Sequence, residues 1–177
     1  MHKTLDTMKN SAAKAIQCPF TDQTLAAIPA LSPDVAMIHV HEADEFGNSR
    51  MRGTSVADPD LARAAKRVII TCERLISNDT IRDDPTATDI PFFCVDAVCE
   101  VPFGSYPGNM PYEYFSDEPH LRQWLDVERD HQQYLAFIDK YIHGVSDFSE
   151  YVELCGGQER LAELRELELN PGGQGSQ

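Results

Sequence analysis

Two apolar runs constrain this chain most: Asp34-Val-Ala-Met-Ile-His-Val-His41 and Arg67-Val-Ile-Ile-Thr-Cys-Glu73. Each is short, rich in β-branched residues and continuous in its apolar character, the signature of a strand buried in a parallel sheet. The second follows directly on Asp60-Leu-Ala-Arg-Ala-Ala-Lys66. That segment reads as a helix, with Asp58 as its expected N-cap, Pro59 at the first helical position and its basic residues near the end. A helix running straight into an apolar strand is the rhythm of an α/β sheet.

Around these anchors the rest falls into place. Glu42 to Asn48 reads as a turn, closed by Gly47-Asn48, with Arg50-Met-Arg52 as a short return strand. Arg74 to Pro91 is polar and broken by Pro85 and Pro91. Phe92 to Val101 reads as a third, long strand, followed by a loop of glycines, prolines and aromatics from Pro102 to Pro111. From Glu118 to His143 apolar residues recur at helical spacing, and two shorter helices are expected near 147–155 and 158–168, parted by Gly156-Gly157. In the first 32 residues, Ser11 to Ile16 suggests a short helix and Pro19, Pro29 and Pro33 break the remainder; the stretch looks like a lead-in. The expectation is one domain over residues 1–168 and a flexible tail over 169–177, with no repeat and no boundary within.

Charge narrows the partners. Among 177 residues, 29 are acidic and 15 basic, for a formal charge of -14. Nucleic-acid backbones and anionic lipid are bound through Lys and Arg, so neither is an expected partner. No apolar run approaches the ~20 residues of a membrane helix, and the start lacks the apolar core of a secretory signal. The five cysteines, at 18, 72, 94, 99 and 155, are odd in number and widely spaced. They suit reduced thiols in a cytoplasmic protein, with neither a disulfide framework nor a zinc site. Nor is there a Gly-rich strand-to-helix turn or phosphate loop.

Candidate chemistry is sparse. His39 and His41 share a strand face beside Glu42, Asp44 and Glu45, but no further ligand at fixed spacing supports a metal, and packing or hydrogen bonding is the reading preferred. Cys94 and Cys99 are read as buried and unreactive. Asp96 and Glu100 lie in the third strand; Glu100 serves chemistry at the strand end or instead caps a helix or meets Arg67 or Arg74. Glu73 ends its own strand in a similar position. The acidic runs 126–130 and 159–168 read as solvated helix faces.

Taken in order, several segments resemble the C-terminal half of the α (A) subunit of family I CoA-transferases, closest to the glutaconate type. They are Lys3-Thr-Leu-Asp6, Asp34 to His41 with the Asp44–Asn48 turn, Asp60 to Glu73, Ile81-Arg-Asp-Asp-Pro85 and Asp89-Ile-Pro91. Val95-Asp-Ala-Val98, Val101-Pro-Phe-Gly-Ser-Tyr-Pro107, Tyr112-Glu-Tyr114 and Asp147 to Leu154 complete the set. The resemblance implies a Rossmann-like α/β CoA-transferase fold (the NagB/RpiA/CoA-transferase-like class), here N-terminally truncated and with a helical C-terminus. It implies a heteromer with a β subunit, coenzyme A as substrate and no permanently bound cofactor. It also implies transfer of CoA from an acyl-CoA to a carboxylic acid by a ping-pong route through a glutamate of the β subunit. No Ser-Glu-Asn-Gly-like loop occurs in this chain, so no catalytic residue is assigned to it. The expected pocket wall is Glu100 with Phe103, Gly104, Ser105 and Tyr106, by the strand-end rule. Two alternatives stand beside this reading. Relatives on the scaffold hydrolyse CoA thioesters in steroid-ring breakdown, and a chain lacking the family's N-terminal half could be an inactive fragment or interaction piece.

Overall fold

The computed structural model describes residues 13–170. The core is a four-stranded sheet in the order β4-β3-β5-β6, with β3 spanning Ala36–Ala43, β4 Ser49–Arg50, β5 Val68–Leu75 and β6 Ala97–Glu100. β3, β5 and β6 are parallel; β4 returns antiparallel to β3, pairing Glu42 with Arg50 and Ala43 with Ser49. One face of the sheet carries Ala36, Ile38 and Val40 from β3 and Val68, Ile70 and Cys72 from β5. These pack with Ile90 and with Ala62 of helix α1 (Asp58–Ala64) into a dry core. Side chains at every second position build that face, so the intervening His39, His41, Thr71 and Glu73 share the other.

Helices follow. Helix α2 (Asn78–Asp83) sits within the polar stretch after β5, its N-terminus capped by the Ser77 hydroxyl, which accepts from the Thr80 amide. The helical region comprises α3 (Glu118–Val127), α4 (His131–Ile138), a wide π turn at Asp139–His143, α5 (Phe148–Leu154) and α6 (Gly157–Leu169). Asp117, Asp130 and Asp147 cap α3, α4 and α5 through side-chain oxygens. A second core of Tyr106, Met110, Tyr114, Val152, Leu161 and Leu164 joins α5 and α6 to the loop after β6.

Several expectations need correction. Lys14–Gln17 is a strand, β1, paired antiparallel with β2 (Thr24–Ala27), where a helix from Ser11 was expected. The Cys18–Gln23 turn closes this hairpin, and Asp22 takes a left-handed φ of 55°. The third strand is only four residues long. Pro91 leads into a 3-10 turn at Phe92–Cys94, the Phe92 amide donates to Asn48 Oδ1, and Phe93 is 75% exposed. Helix α1 begins at Asp58, so Ala57 is its N-cap, and the Asp58 carboxylate receives the Ser55 hydroxyl instead. The helical period of 118–143 is divided at Glu128–Asp130. Cys99 is exposed rather than buried, Cys94 is half-buried, and all five cysteines are free thiols. The Lys3–Asp6 motif and the tail from 171 lie outside the described residues.

Candidate functional site

The parallel strands deliver their last residues to one end of the sheet, the place where open α/β sheets set ligand-binding loops. At that end β5 places Glu73, only 3% exposed, on the side-chain face opposite the apolar core. Its carboxylate is fully engaged. Oε1 accepts from His39 Nε2 at 2.8 Å and from the Tyr114 hydroxyl at 2.7 Å, and Oε2 accepts from the Phe103 amide at 2.8 Å. Burial pushes this carboxyl up, but the hydrogen bonds from His39, Phe103 and Tyr114 outweigh it and hold it below the ordinary carboxylate range. Burial, with Glu73 alongside, pushes the Tyr114 phenol up in turn, so it stays a donor. On the far side of the imidazole, His39 Nδ1 lies 2.8 Å from Thr71 Oγ1.

Three of the expected wall residues lie over this buried group. Phe103 has φ of 62°, with its ring against Tyr114 at 4.9 Å and beneath the Arg165 guanidinium at 4.7 Å. Gly104 presses on His39 so closely that a Cβ would fall 2.5 Å from Cε1. Ser105 donates its amide to the Tyr114 oxygen at 3.0 Å. Tyr106 turns away into the helical layer, where its hydroxyl donates to Asp117 Oδ2 at 2.9 Å. There Asp117 also receives two bonds from Arg160 and one from the His120 amide. Glu100 stands apart from the group. It is exposed, and its Oε1 accepts from the Leu75 amide, while it is Asp96 that meets Arg67, at 2.6 Å.

At the ends of β3 and β5 opens a cavity of ≈ 630 Å³ lined by Glu45, Phe46, Leu75, Ile76, Ser77, Asn78 and Asp79. Its rim is set by fully buried Asp44, which accepts from the amides of Phe46, Gly47 and Asn48 and from the side chains of Asn48 and Asn78. His41 is structural in its bonding: Nδ1 accepts from the Arg52 amide and Nε2 donates to the Pro111 carbonyl. Arg52 and Arg74 both reach buried Glu113, and Arg74 also reaches Glu42. Among the described residues no group of three or more His, Cys, Asp or Glu is placed to hold a metal ion.

Sequence reasoning missed Tyr114, Asp117, Asn78 and Arg160. Tyr114 meets Glu73 across 41 residues and Arg160 meets Asp117 across 43, separations at which no local pattern signals contact.

Comparison with known proteins gives a consistent result. A family model described as Coenzyme A transferase matches residues 12–101. The A subunit of glutaconate CoA-transferase from Acidaminococcus fermentans is 37% identical over 93% of this chain and 52% of its own. The crystal structure of that glutaconate CoA-transferase superposes with a TM-score of 0.82 at 36% identity, covering 88% of this chain and 49% of the other. The A subunit of 3-oxoadipate CoA-transferase from Pseudomonas knackmussii is 38% identical over 80% of this chain and 50% of its own. A cholesterol ring-cleaving hydrolase IpdA subunit from Mycobacterium tuberculosis is 28% identical over 76% of this chain and 47% of its own. The chain therefore spans about half the length of these curated relatives.

Proposed function

The chain belongs to the coenzyme A transferase family, and from that premise we propose that it serves within the A subunit of an enzyme moving CoA from an acyl-CoA thioester to a carboxylic acid. The likeness to the A subunits of two transferases carries this reading. In the proposed cycle the carboxylate of a β-subunit glutamate attacks the thioester carbonyl and the CoA thiolate leaves, giving a mixed anhydride. The thiolate then returns to the glutamyl carbonyl and releases the first acid; the acceptor acid takes the CoA by the reverse sequence. The part of this chain is to shape and dry the acyl side of the site. Its proposed pocket wall is Phe103, Gly104 and Ser105 of the loop after β6; Tyr106 and Glu100, also expected there, are turned instead to Asp117 and to the Leu75 amide. No side chain here is asked to bond covalently to substrate, and no permanently bound cofactor is invoked.

The proposed setting is the cytoplasm, since five free thiols suit a reducing compartment, and among the described residues no helix is long and apolar enough to cross a membrane. The proposed partners are the β subunit, an acyl-CoA and a carboxylic acid. Neither nucleic acid nor membrane is among them.

Co-expression with a β subunit, followed by assays over several acyl-CoA donors, tests the reading. CoA transfer that depends on added acceptor acid is the expected result. Thioester hydrolysis without acceptor would move the assignment to the second reading, a thioester hydrolase, which the likeness to the ring-cleaving hydrolase subunit favours. A failure to form any complex would leave the third reading, an inactive fragment.

A further inference from the structure

Three consecutive residues of the proposed pocket wall are fixed through one carboxylate. Phe103 gives its amide to Glu73 directly. Gly104 rests on the ring of His39, which bonds Glu73. Ser105 gives its amide to Tyr114, which also bonds Glu73. The segment needs such restraint, because Phe103 occupies the left-handed region, where a residue with a Cβ is held only by its surroundings. We propose that Glu73 is a positioning residue, whose buried carboxylate sets the path of Phe103, Gly104 and Ser105 and, through it, the geometry of acyl transfer. This deepens the functional reading above and rests on it for the kinetic consequence alone.

The chemistry requires a carboxylate. Three donors converge on Glu73, and no donor is needed from it. A glutamine offers one acceptor oxygen and two N–H groups. If its oxygen keeps the Phe103 amide, its nitrogen faces His39 Nε2 and the Tyr114 hydroxyl, which are both donors. Neutral His39 can answer by moving its proton from Nε2 to Nδ1 and donating to Thr71 Oγ1. Tyr114 has no such second tautomer, so its hydroxyl loses an acceptor and its grip on Ser105 weakens. The substitution thus leaves the packing volume almost unchanged while breaking the bond pattern.

The test uses the full chain bearing Glu73→Gln and, separately, Tyr114→Phe, which removes the Ser105 acceptor while leaving the carboxylate. Nitrogen NMR of labelled histidine should show His39 protonated at Nε2 in the parent and at Nδ1 in Glu73→Gln. Hydrogen exchange at Ser105 should accelerate about tenfold or more in Glu73→Gln, equivalent to ~1.4 kcal/mol, with Val40 and Ile70 still protected. If Glu73→Gln does not fold, Tyr114→Phe decides by the same acceleration at Ser105. In the complex with a β subunit, Glu73→Gln should lower kcat with KM little changed, and Glu73→Asp should recover part of the loss. An exchange increase spread evenly over the sheet, or none at the loop, overturns the proposal. Should the parent complex transfer no CoA, the functional reading falls, and the NMR and exchange results still decide whether Glu73 sets the loop.

Discussion

Asp44, with no exposed surface, gathers five hydrogen bonds, three from consecutive backbone amides and two from asparagine side chains. Burial pushes its carboxyl up, yet the bonds from Asn48 and Asn78 prevail and hold it low. Asp44→Ala should therefore cost about 3 kcal/mol in urea denaturation, the upper end for a hydrogen bond to a charged group, whereas substitution of its exposed neighbour Glu45 should cost almost nothing. The thiols give a second residue-scale prediction. Cys72 is fully buried and its thiol is pushed up to about 11, chiefly by burial and by Glu100, while Cys99 is exposed. A thiol reagent on the native protein should modify Cys99 early and Cys72 only on unfolding. Equal rates at the two positions would contradict the placement of β5 and β6. The pattern His39-Val-His41 and the strand-end Glu73 were legible in the sequence, because alternation assigns faces. What each histidine bonds was not legible, since His39 meets Thr71 and Glu73 only through the register of β3 on β5, and His41 meets Pro111 from a loop whose path depends on the whole fold.

The elements were readable wherever local chemistry decided them. β3, β5 and the break between α5 and α6 were expected nearly as found. Gly156 and Gly157 both have positive φ, 112° and 66°, which is why that break sits where two glycines do. Gly157→Ala should destabilise by roughly 1 kcal/mol through the left-handed backbone, with a Cβ also set 2.9 Å from Glu153 Oε2. A denaturation midpoint that does not move would show that α6 starts elsewhere. The misread elements failed for tertiary reasons. Phe92 to Cys94 is apolar enough for a strand, but Pro91 and the Asn48 contact turn it into a 3-10 bend. Ser11 to Ile16 carries a helical composition, yet Lys14–Gln17 pairs with β2. The short helix α2 was hidden by the polar character of its stretch and by Pro85 and Pro91 beyond it.

At the scale of the whole molecule, two layers of polar bonding meet across the loop after β6: the Glu73 group on the sheet side and the Asp117 group on the helical side. Burial lowers His120 from its ordinary value of 6.5, with Asp117 opposing and Lys140 adding to the fall. Burial raises Asp117 and Glu73, but Arg160 and Tyr106 at the first and His39 at the second hold both below their ordinary values. All three groups have depressed folded values, so each binds protons more readily when unfolded. Their contribution is complete above the unfolded values and is lost as pH falls through the folded ones. The melting temperature, followed at high salt to screen the net charge of -14, should begin to fall below about pH 6.5 and fall faster once the carboxylates titrate. A melting temperature that rises on acidification would reverse the assigned signs. The family and the sheet class could be read from ordered motifs, whereas the join between sheet and helical layers, through Tyr106 and Asp117, could not. It is made by side chains brought together only when both layers are packed.

The most direct test is the acyl-transfer rate of the β-subunit complex carrying Gly104→Val. The position faces solvent on one side and His39 on the other, with 2.5 Å for a Cβ, so the added side chain must displace the wall or the ring beneath it. An intact complex is predicted, with kcat/KM falling by a factor of about 100 or more, as a misplacement of ~1 Å near reacting groups produces. An intact complex with an unchanged rate would show that the loop after β6 does not bound the site of CoA transfer.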